Sequence, residues 1–441
     1  MLSQTTTSPP TRGRRGSTGS ARTTAPLPVL MRHPAFRRFW TAQTISYLGD
    51  QVTVVALPLV AVLTLGSSAL ETGLLTAAGT APNLLFSLHA GAFADRYGRH
   101  RALMVCADLA RAALLATVPL AFWFGALSLL HLYVVAFLAG TLAVLFNVSA
   151  AGLFAAVVPR DSYVQGNSLI RGSYSFSWVA GPSAAGVLIQ VMSAPLALIV
   201  DTVSFIGSAL LLRSIPPADP VDRMASGSGV RDGLAFVRRT PALLAKFAAE
   251  TGLSFFHSVY FALVMVFATH ALGLPAGLIG LALGVGSCGA LLGSAVAGGT
   301  SRRIGLGRSY VLGALLYPAA LALVPLTTTR EWAAVTLLAL AQFGGGFGLM
   351  LCDIGGNAIQ QALTPDRLRS RVHGAYLTFN AGARPLGALA GGVLGARVGL
   401  RPTLWLAVLG GVASVVPLLL SPLFRMRGLP AQMNLPREVE S

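Results

Sequence analysis

Apolar residues run along this chain in blocks too long for the surface of a water-soluble fold. Blocks near or above the roughly twenty residues that a helix needs to cross a bilayer fall at about 39–64, 70–94, 101–124, 128–157, 166–191 and 194–213. A second set falls at about 244–270, 275–299, 307–326, 332–363, 371–396 and 401–424. The longest polar break, RSIPPADPVDRMASGSGVRDG, separates six blocks from six. This pattern predicts an all-α membrane protein of twelve transmembrane helices in two six-helix bundles, 36–213 and 244–424, joined by a linker over 214–243. Residues 1–35, rich in Ser, Thr, Pro and Arg with no apolar core, read as a disordered basic tail rather than a signal peptide, and 425–441 as a second tail.

Composition agrees with the pattern. Apolar residues make up 54% and charged residues only 11% of the 441 positions, whereas a soluble protein carries about 25% charged residues. The net charge of +17 raises the question of nucleic acid, but the arginines sit between apolar blocks instead of along one face, so no nucleic-acid partner is expected. Arg96, Arg99 and Arg101, then Arg160, then Arg213 to Arg239, then Arg302, Arg303 and Arg308, then Arg367, Arg369 and Arg371 occupy alternate connections. The opposite connections hold almost none before Arg330, Arg397 and Arg401. Excess basic charge marks cytoplasmic loops, so both termini are expected in the cytoplasm. The three cysteines share no close spacing, and the chain has no metal, Walker or nucleophile-elbow motif, so neither a cofactor, a metal nor an enzymatic activity is expected.

An internal repeat appears at an offset near 206 residues. VVPRDSYVQGNS at 157–168 matches LTPDRLRSRVHG at 363–374, and GAFADRYG at 91–98 matches GGTSRRIG at 298–305, with Arg302 in the place of Asp95. Two homologous halves suit a transporter whose binding site lies between them near mid-bilayer. Between blocks 2 and 3, Gly91, Asp95, Arg96, Gly98 and Arg99 fit the signature G-x-x-x-D-R-x-G-R-[KR]. In block 5, Gly181, Pro182 and Gly186 keep part of a second one, G-x8-G-x3-G-P-x2-G-G. On these motifs the chain resembles the major facilitator superfamily. The stretches FRRFWTAQTISYLGDQVTVVALPL, DLARA and VDTVSF look like its branch of enterobactin exporters and macrolide efflux pumps.

The resemblance implies an alternating-access transporter in the cell membrane that exports a drug, antibiotic or siderophore-like compound in exchange for protons. It also implies a conformational latch in which Asp95 meets the start of the eleventh helix while Arg96 and Arg99 pair with acids, Asp161 being one candidate, or with anionic lipid headgroups. The expected partners are a small-molecule substrate, protons and membrane lipids, with the protein a monomer. The fourth span lacks the arginine that many drug:proton antiporters carry, which leaves proton symport or facilitated uptake of a nutrient open. From the residues themselves, Gly91 suits close helix approach, Gly98 a turn with positive φ, and Gly181, Pro182 and Gly186 a bend in the fifth helix.

Ionisable groups at membrane depth are costly and point to function. Asp50, Asn147, His257 and Asp353 lie 11, 12, 13 and 12 residues from the expected cytoplasmic ends of helices 1, 4, 7 and 10, at about 39, 159, 244 and 365. That is about 16–20 Å along a helix, so the four are expected near mid-bilayer on the cavity wall. There Asp50 and Asp353 are candidates for proton coupling or a cationic substrate, with a structural hydrogen bond the alternative for Asp50 and an interior role the alternative for His257. Asp108 and Arg111, three residues apart on one helix, suggest a local ion pair. Asp201 and Arg384 have no evident partner in their own helices, and Arg384 could meet an anionic substrate or Asp50. Lys246 and Glu250, four apart, read as an interfacial pair. Trp178, Phe255, Phe256, Tyr260, Tyr376 and Phe379 are candidates for an aromatic wall.

Overall fold

The computed structural model describes residues 29–216, 229–328, 332–365, 368–426 and 428. Its helices follow the apolar blocks closely. In the first half they are α1 (Pro34–Leu65), α2 (Ala69–Tyr97), α3 (His100–Trp123), α4 (Leu129–Val157), α5 (Tyr163–Met192) and α6 (Ala194–Arg213). A short amphipathic α7 (Gly229–Arg239) leads into the second half. There α8 (Pro241–Val266) ends in a π turn, and α9 (Ala276–Ile304), α10 (Leu306–Ala320), α11 (Leu323–Leu326), α12 (Trp332–Leu363), α13 (Arg369–Arg397), α14 (Leu400–Ala413) and α15 (Val416–Leu420) follow. Among the described residues, ten segments are long and apolar enough to cross a membrane. α2 and α13 occupy the two other predicted positions. α13 carries Arg371, His373, Asn380 and Arg384, which lowers its apolarity.

Local chemistry fixes the helix ends. Ser68 and Glu71 form a reciprocal capping box at the start of α2, satisfying amide donors that the first turn cannot. Gly66 and Gly98 close α1 and α2 in the left-handed region at φ 64° and 67°, as expected of Gly98 from the sequence. Arg38 donates to the Ser214 carbonyl at 2.6 Å and Arg101 to the Ile215 carbonyl. Two guanidiniums thus sit on the carbonyl end of α6, where the helix dipole favours cations, so Arg101 has a structural task beyond marking topology.

Each half has its own apolar core near the basic-loop end. One joins Phe36, Phe39, Met104, Phe146 and Leu212; the other joins Leu253, Tyr310, Val311 and Ile359. The halves meet through α2 against α13 and α5 against α9. Both contacts lie at the end remote from the basic loops and are made backbone to backbone. A Cβ added to Gly73 would stand 2.7 Å from the Gly392 Cα, and one on Gly186 would collide with the Gly280 backbone. The Gly277 amide donates to Gln190 Oε1 at 2.8 Å beside it. Toward the basic-loop end, an added Cβ at Gly91 or Gly172 meets nothing within 4 Å. Among the described residues the two halves are therefore in backbone contact at one end, with open space at Gly91 and Gly172 toward the other. The close helix approach expected at Gly91 is absent from this arrangement.

Candidate functional site

The charged residues collect in two clusters, one in each half. In the first half α1, α3 and α6 converge on Arg111. Its guanidinium pairs with Asp50 of α1 and lies 3.6 Å from Asp108 of its own helix. It also sits over the Phe205 ring of α6 at 3.9 Å, a cation–π contact suited to a dry site. Asp50 keeps 30% of its side-chain surface open while that of Arg111 keeps 5%. Asp201 of α6 accepts hydrogen bonds from Thr53 of α1 and from Ser204 at 3.0 Å. The sequence expectation is corrected in two respects. Arg111 binds across helices rather than only to Asp108, and Asp201 does have a partner in its own helix. Asp50 pairs with Arg111 and not with Arg384, which is exposed on α13.

In the second half Lys246 is almost wholly buried, so the pair with Glu250 is not interfacial. Its ammonium donates to Glu250 Oε2 at 2.7 Å and to Gln360 Oε1 of α12 at 3.0 Å, and lies 4.7 Å from the Tyr376 ring centroid. Tyr310 of α10 donates to Glu250 Oε1 at 2.8 Å, and Gly356 leaves the room, since a Cβ there would stand 2.7 Å from that same oxygen. Four helices are stapled by groups that are all satisfied. Hydrogen bonds to charged groups contribute about 1.5–3 kcal/mol each, so Tyr310→Phe is expected to destabilise the protein by about that much. Thermal unfolding of the purified variant in detergent measures it.

The set expected to line one cavity at one depth does not assemble. His257 turns into the second half, where Phe256, Tyr260, Tyr317 and Gly411 enclose it in a small pocket. Its ring stands 5.5 Å from that of Tyr317, and the His257 Nδ1 and Tyr260 hydroxyl have no hydrogen-bond partner. Phe256 and Tyr260 therefore do not belong to a central wall. Asn147 and Asp353 are exposed. Asn357, one turn along α12, stands beside the Asp353 carboxylate, and Arg171 of α5 in the other half lies within electrostatic range of it. Arg171 also influences Tyr47 and His373. A lone arginine five residues into the predicted span at 166–191 was the available signal for this residue. Tyr47 meets Tyr174 edge to face at 5.2 Å, and Tyr174 lies 6.3 Å from Trp178, both rings well exposed. Asp353 of α12, Arg171 of α5 and the aromatic edges of Tyr47, Tyr174 and Trp178 thus offer an acid, a cation and apolar surface, which suits an amphipathic molecule.

Of the expected latch, the Asp95 side chain lies outside what the structure describes. Arg96 and Arg99 are exposed, as is Asp161, and among the described residues no ion pair joins them. Gly181 packs on the Gln51 side chain and Pro182 lies within an uninterrupted α5.

The chain matches the family profile described as Major Facilitator Superfamily over residues 39–388 and 250–435. It is 30% identical over 398 residues to the multidrug efflux pump Tap of Mycolicibacterium fortuitum, covering 84% of this chain and 92% of that protein. It is 27% identical over 389 residues to the uncharacterized MFS-type transporter YfiS of Bacillus subtilis, with 84% and 90% covered. Among solved structures, that of the nucleoside transporter NupG superposes with a TM-score of 0.69 at 10% identity, over 88% of this chain and 98% of that one, a likeness of fold.

Proposed function

The chain belongs to the major facilitator superfamily, and from that premise we propose that it is a proton-coupled exporter of a drug, antibiotic or siderophore-like hydrophobic compound. Transport proceeds by alternating access, with α2 and α13 also spanning the bilayer, twelve helices in all, and both termini in the cytoplasm. In that orientation the end sealed by backbone contact is extracytoplasmic, and the end with open space at Gly91 and Gly172 faces the cytoplasm, from which a hydrophobic compound is collected.

The observation that carries the reading is the Arg111–Asp50 pair. A partly open carboxylate held by a buried guanidinium is a group that a proton reaches from water and that changes its contacts on taking it up. Two named efflux pumps among the relatives, Tap of Mycolicibacterium fortuitum and of Mycobacterium tuberculosis, support the direction. The set of Asp353, Arg171, Tyr174 and Trp178 fits a substrate with aromatic surface and a polar or charged group.

Efflux is tested in a pump-deficient bacterial host. Expression of this chain is expected to raise resistance to several hydrophobic antibiotics and to speed ethidium efflux. Asp50→Asn, produced at the same level, is expected to abolish both. Inside-out vesicles loaded with a pH dye then decide the coupling: proton release on adding an exported compound supports antiport. Proton movement with the compound would establish symport, the reading that the arginine-free α4 leaves open, and wild-type efflux by Asp50→Asn would remove the assigned role of Asp50.

A further inference from the structure

The Arg111 cluster contains an unexplained group. Asp108 is wholly buried, and neither of its carboxylate oxygens has a hydrogen-bond partner. Its separation from Arg111 Nη1, 3.6 Å, is beyond hydrogen-bond range, and Arg111 Nη1 and Nε also lack acceptors. The hydroxyls of Ser46 and Ser208 stand beside the carboxyl, close enough to interact with it, and neither has another hydrogen-bond partner among the described residues. An ionised carboxylate in that condition is costly, by several kcal/mol, whereas a neutral acid can donate its proton to one of those hydroxyls. Asp201 differs, because both of its oxygens accept from hydroxyls of Thr53 and Ser204.

Among the described residues the cluster faces no other charge that could substitute. α4 has no charged residue, and its His131 binds Thr117 at 2.8 Å. The one charged residue of α5, Arg171, lies toward Asp353. One cation is therefore shared by Asp50, Asp108 and the fixed Asp201.

We infer that Asp108 is a second proton seat, coupled to Asp50 through Arg111. The guanidinium neutralises one of the two carboxylates at a time while the other holds a proton. In the arrangement seen, Asp50 is ionised and paired, and Asp108 carries its proton. When a proton bonds to Asp50 from the open side, Arg111 is released and swings to Asp108, whose O–H bond breaks and whose proton departs through the Ser46 and Ser208 hydroxyls. One proton enters, one leaves, and the charge of the cluster is unchanged, while Asp201 stays held by the hydroxyls of Thr53 and Ser204 throughout. The distance to be closed at Asp108 is under one ångström, within reach of a side-chain torsion.

This deepens the proton-coupled reading, but it is tested without transport. Infrared spectra of the purified protein at neutral pH, in water and in deuterium oxide, read the carbonyl stretch of protonated carboxylic acids. The wild type is expected to show a band that Asp108→Asn removes. Asp50→Asn is expected to remove the same band, because the freed Arg111 then ionises Asp108, whereas Asp201→Asn should leave it in place. Asp108→Glu, the variant to use should the amide fail to fold, should retain an acid band at a shifted frequency. A spectrum unchanged by Asp108→Asn, or one in which the Asp108 band survives Asp50→Asn, overturns the inference. Either result leaves the efflux assay of Asp50→Asn standing, so failure of the seat and failure of the exporter reading are distinguishable.

Discussion

Arg111→Ala is expected to lose transport entirely, to the background of vesicles without the protein, and to lower the stability of the folded protein by about 3–5 kcal/mol. The reasoning starts from the charge count. Among the described residues the side chain is the only cation between three carboxylates on α1, α3 and α6, and two of those acids, Asp108 and Asp201, are wholly buried. Removing one partner of a buried ion pair leaves a charge with neither water nor counter-ion, and that penalty exceeds what the intact pair contributes. Asp50 loses its counter-ion but keeps partial access to water, Asp108 already holds a proton in the arrangement inferred above, and the buried charge left without a cation is that of Asp201. Arg111→Lys separates charge from geometry. An ammonium is a point charge and lacks the planar fork that reaches Asp50 and Asp108 from two nitrogens. This variant is expected to recover most of the stability but little of the transport. Thermal unfolding in detergent and dye efflux from energised vesicles measure the two effects separately. Full transport by the lysine variant would show that charge alone suffices.

Most of the fold was legible in the sequence, and the clusters were not, for one physical reason. Apolar block length reports position along a helix axis, which is why α1 at Pro34–Leu65 and α4 at Leu129–Val157 lie within a few residues of the blocks at 39–64 and 128–157. Gly98 was also readable, because a turn with positive φ singles out glycine. Depth does not give azimuth. His257 lies within α8 where its block places it, but the face of α8 on which it lies points toward α10 and α14, so it meets Tyr317 and not a cavity between the halves. Lys246 lies close enough to a helix start to suggest an interface, whereas neighbouring α10 and α12 enclose it. Partners across helices, such as Arg111 with Asp50 or Tyr310 with Glu250, are set by which helices are neighbours, and no spacing within one helix encodes that. Arg171 was missed because a lone arginine in a span has no local pattern to distinguish it.

Gly280→Leu is expected to arrest the transporter without unfolding it. The seal between the halves at α5 and α9 is backbone against backbone: a Cβ on either Gly186 or Gly280 falls on the main chain of the other. Main chain cannot yield as a flexible side chain does, so a leucine holds the two helices apart and the sealed arrangement becomes inaccessible. Each half keeps its own core, since neither the Phe36–Phe39 cluster nor the Tyr310 cluster includes these glycines. The protein is therefore expected to insert and purify normally while net flux disappears, because alternating access needs both states. The accompanying readout is access to Ile189, which is 3% exposed beside the Gly186–Gly280 contact. With Cys106, Cys288 and Cys352 replaced by alanine, Ile189→Cys should react slowly with a membrane-impermeant maleimide in the otherwise native chain. Adding Gly280→Leu should speed that reaction about tenfold, which corresponds to about 1.4 kcal/mol of shift in the equilibrium between open and sealed states. Gly207→Ala, where an added Cβ meets nothing within 4 Å, is the control and should change neither flux nor labelling. Normal flux in Gly280→Leu would mean that the α5–α9 contact is not part of the transport cycle, and the alternating-access argument would then have to rest on the α2–α13 seal at Gly73 and Gly392 alone.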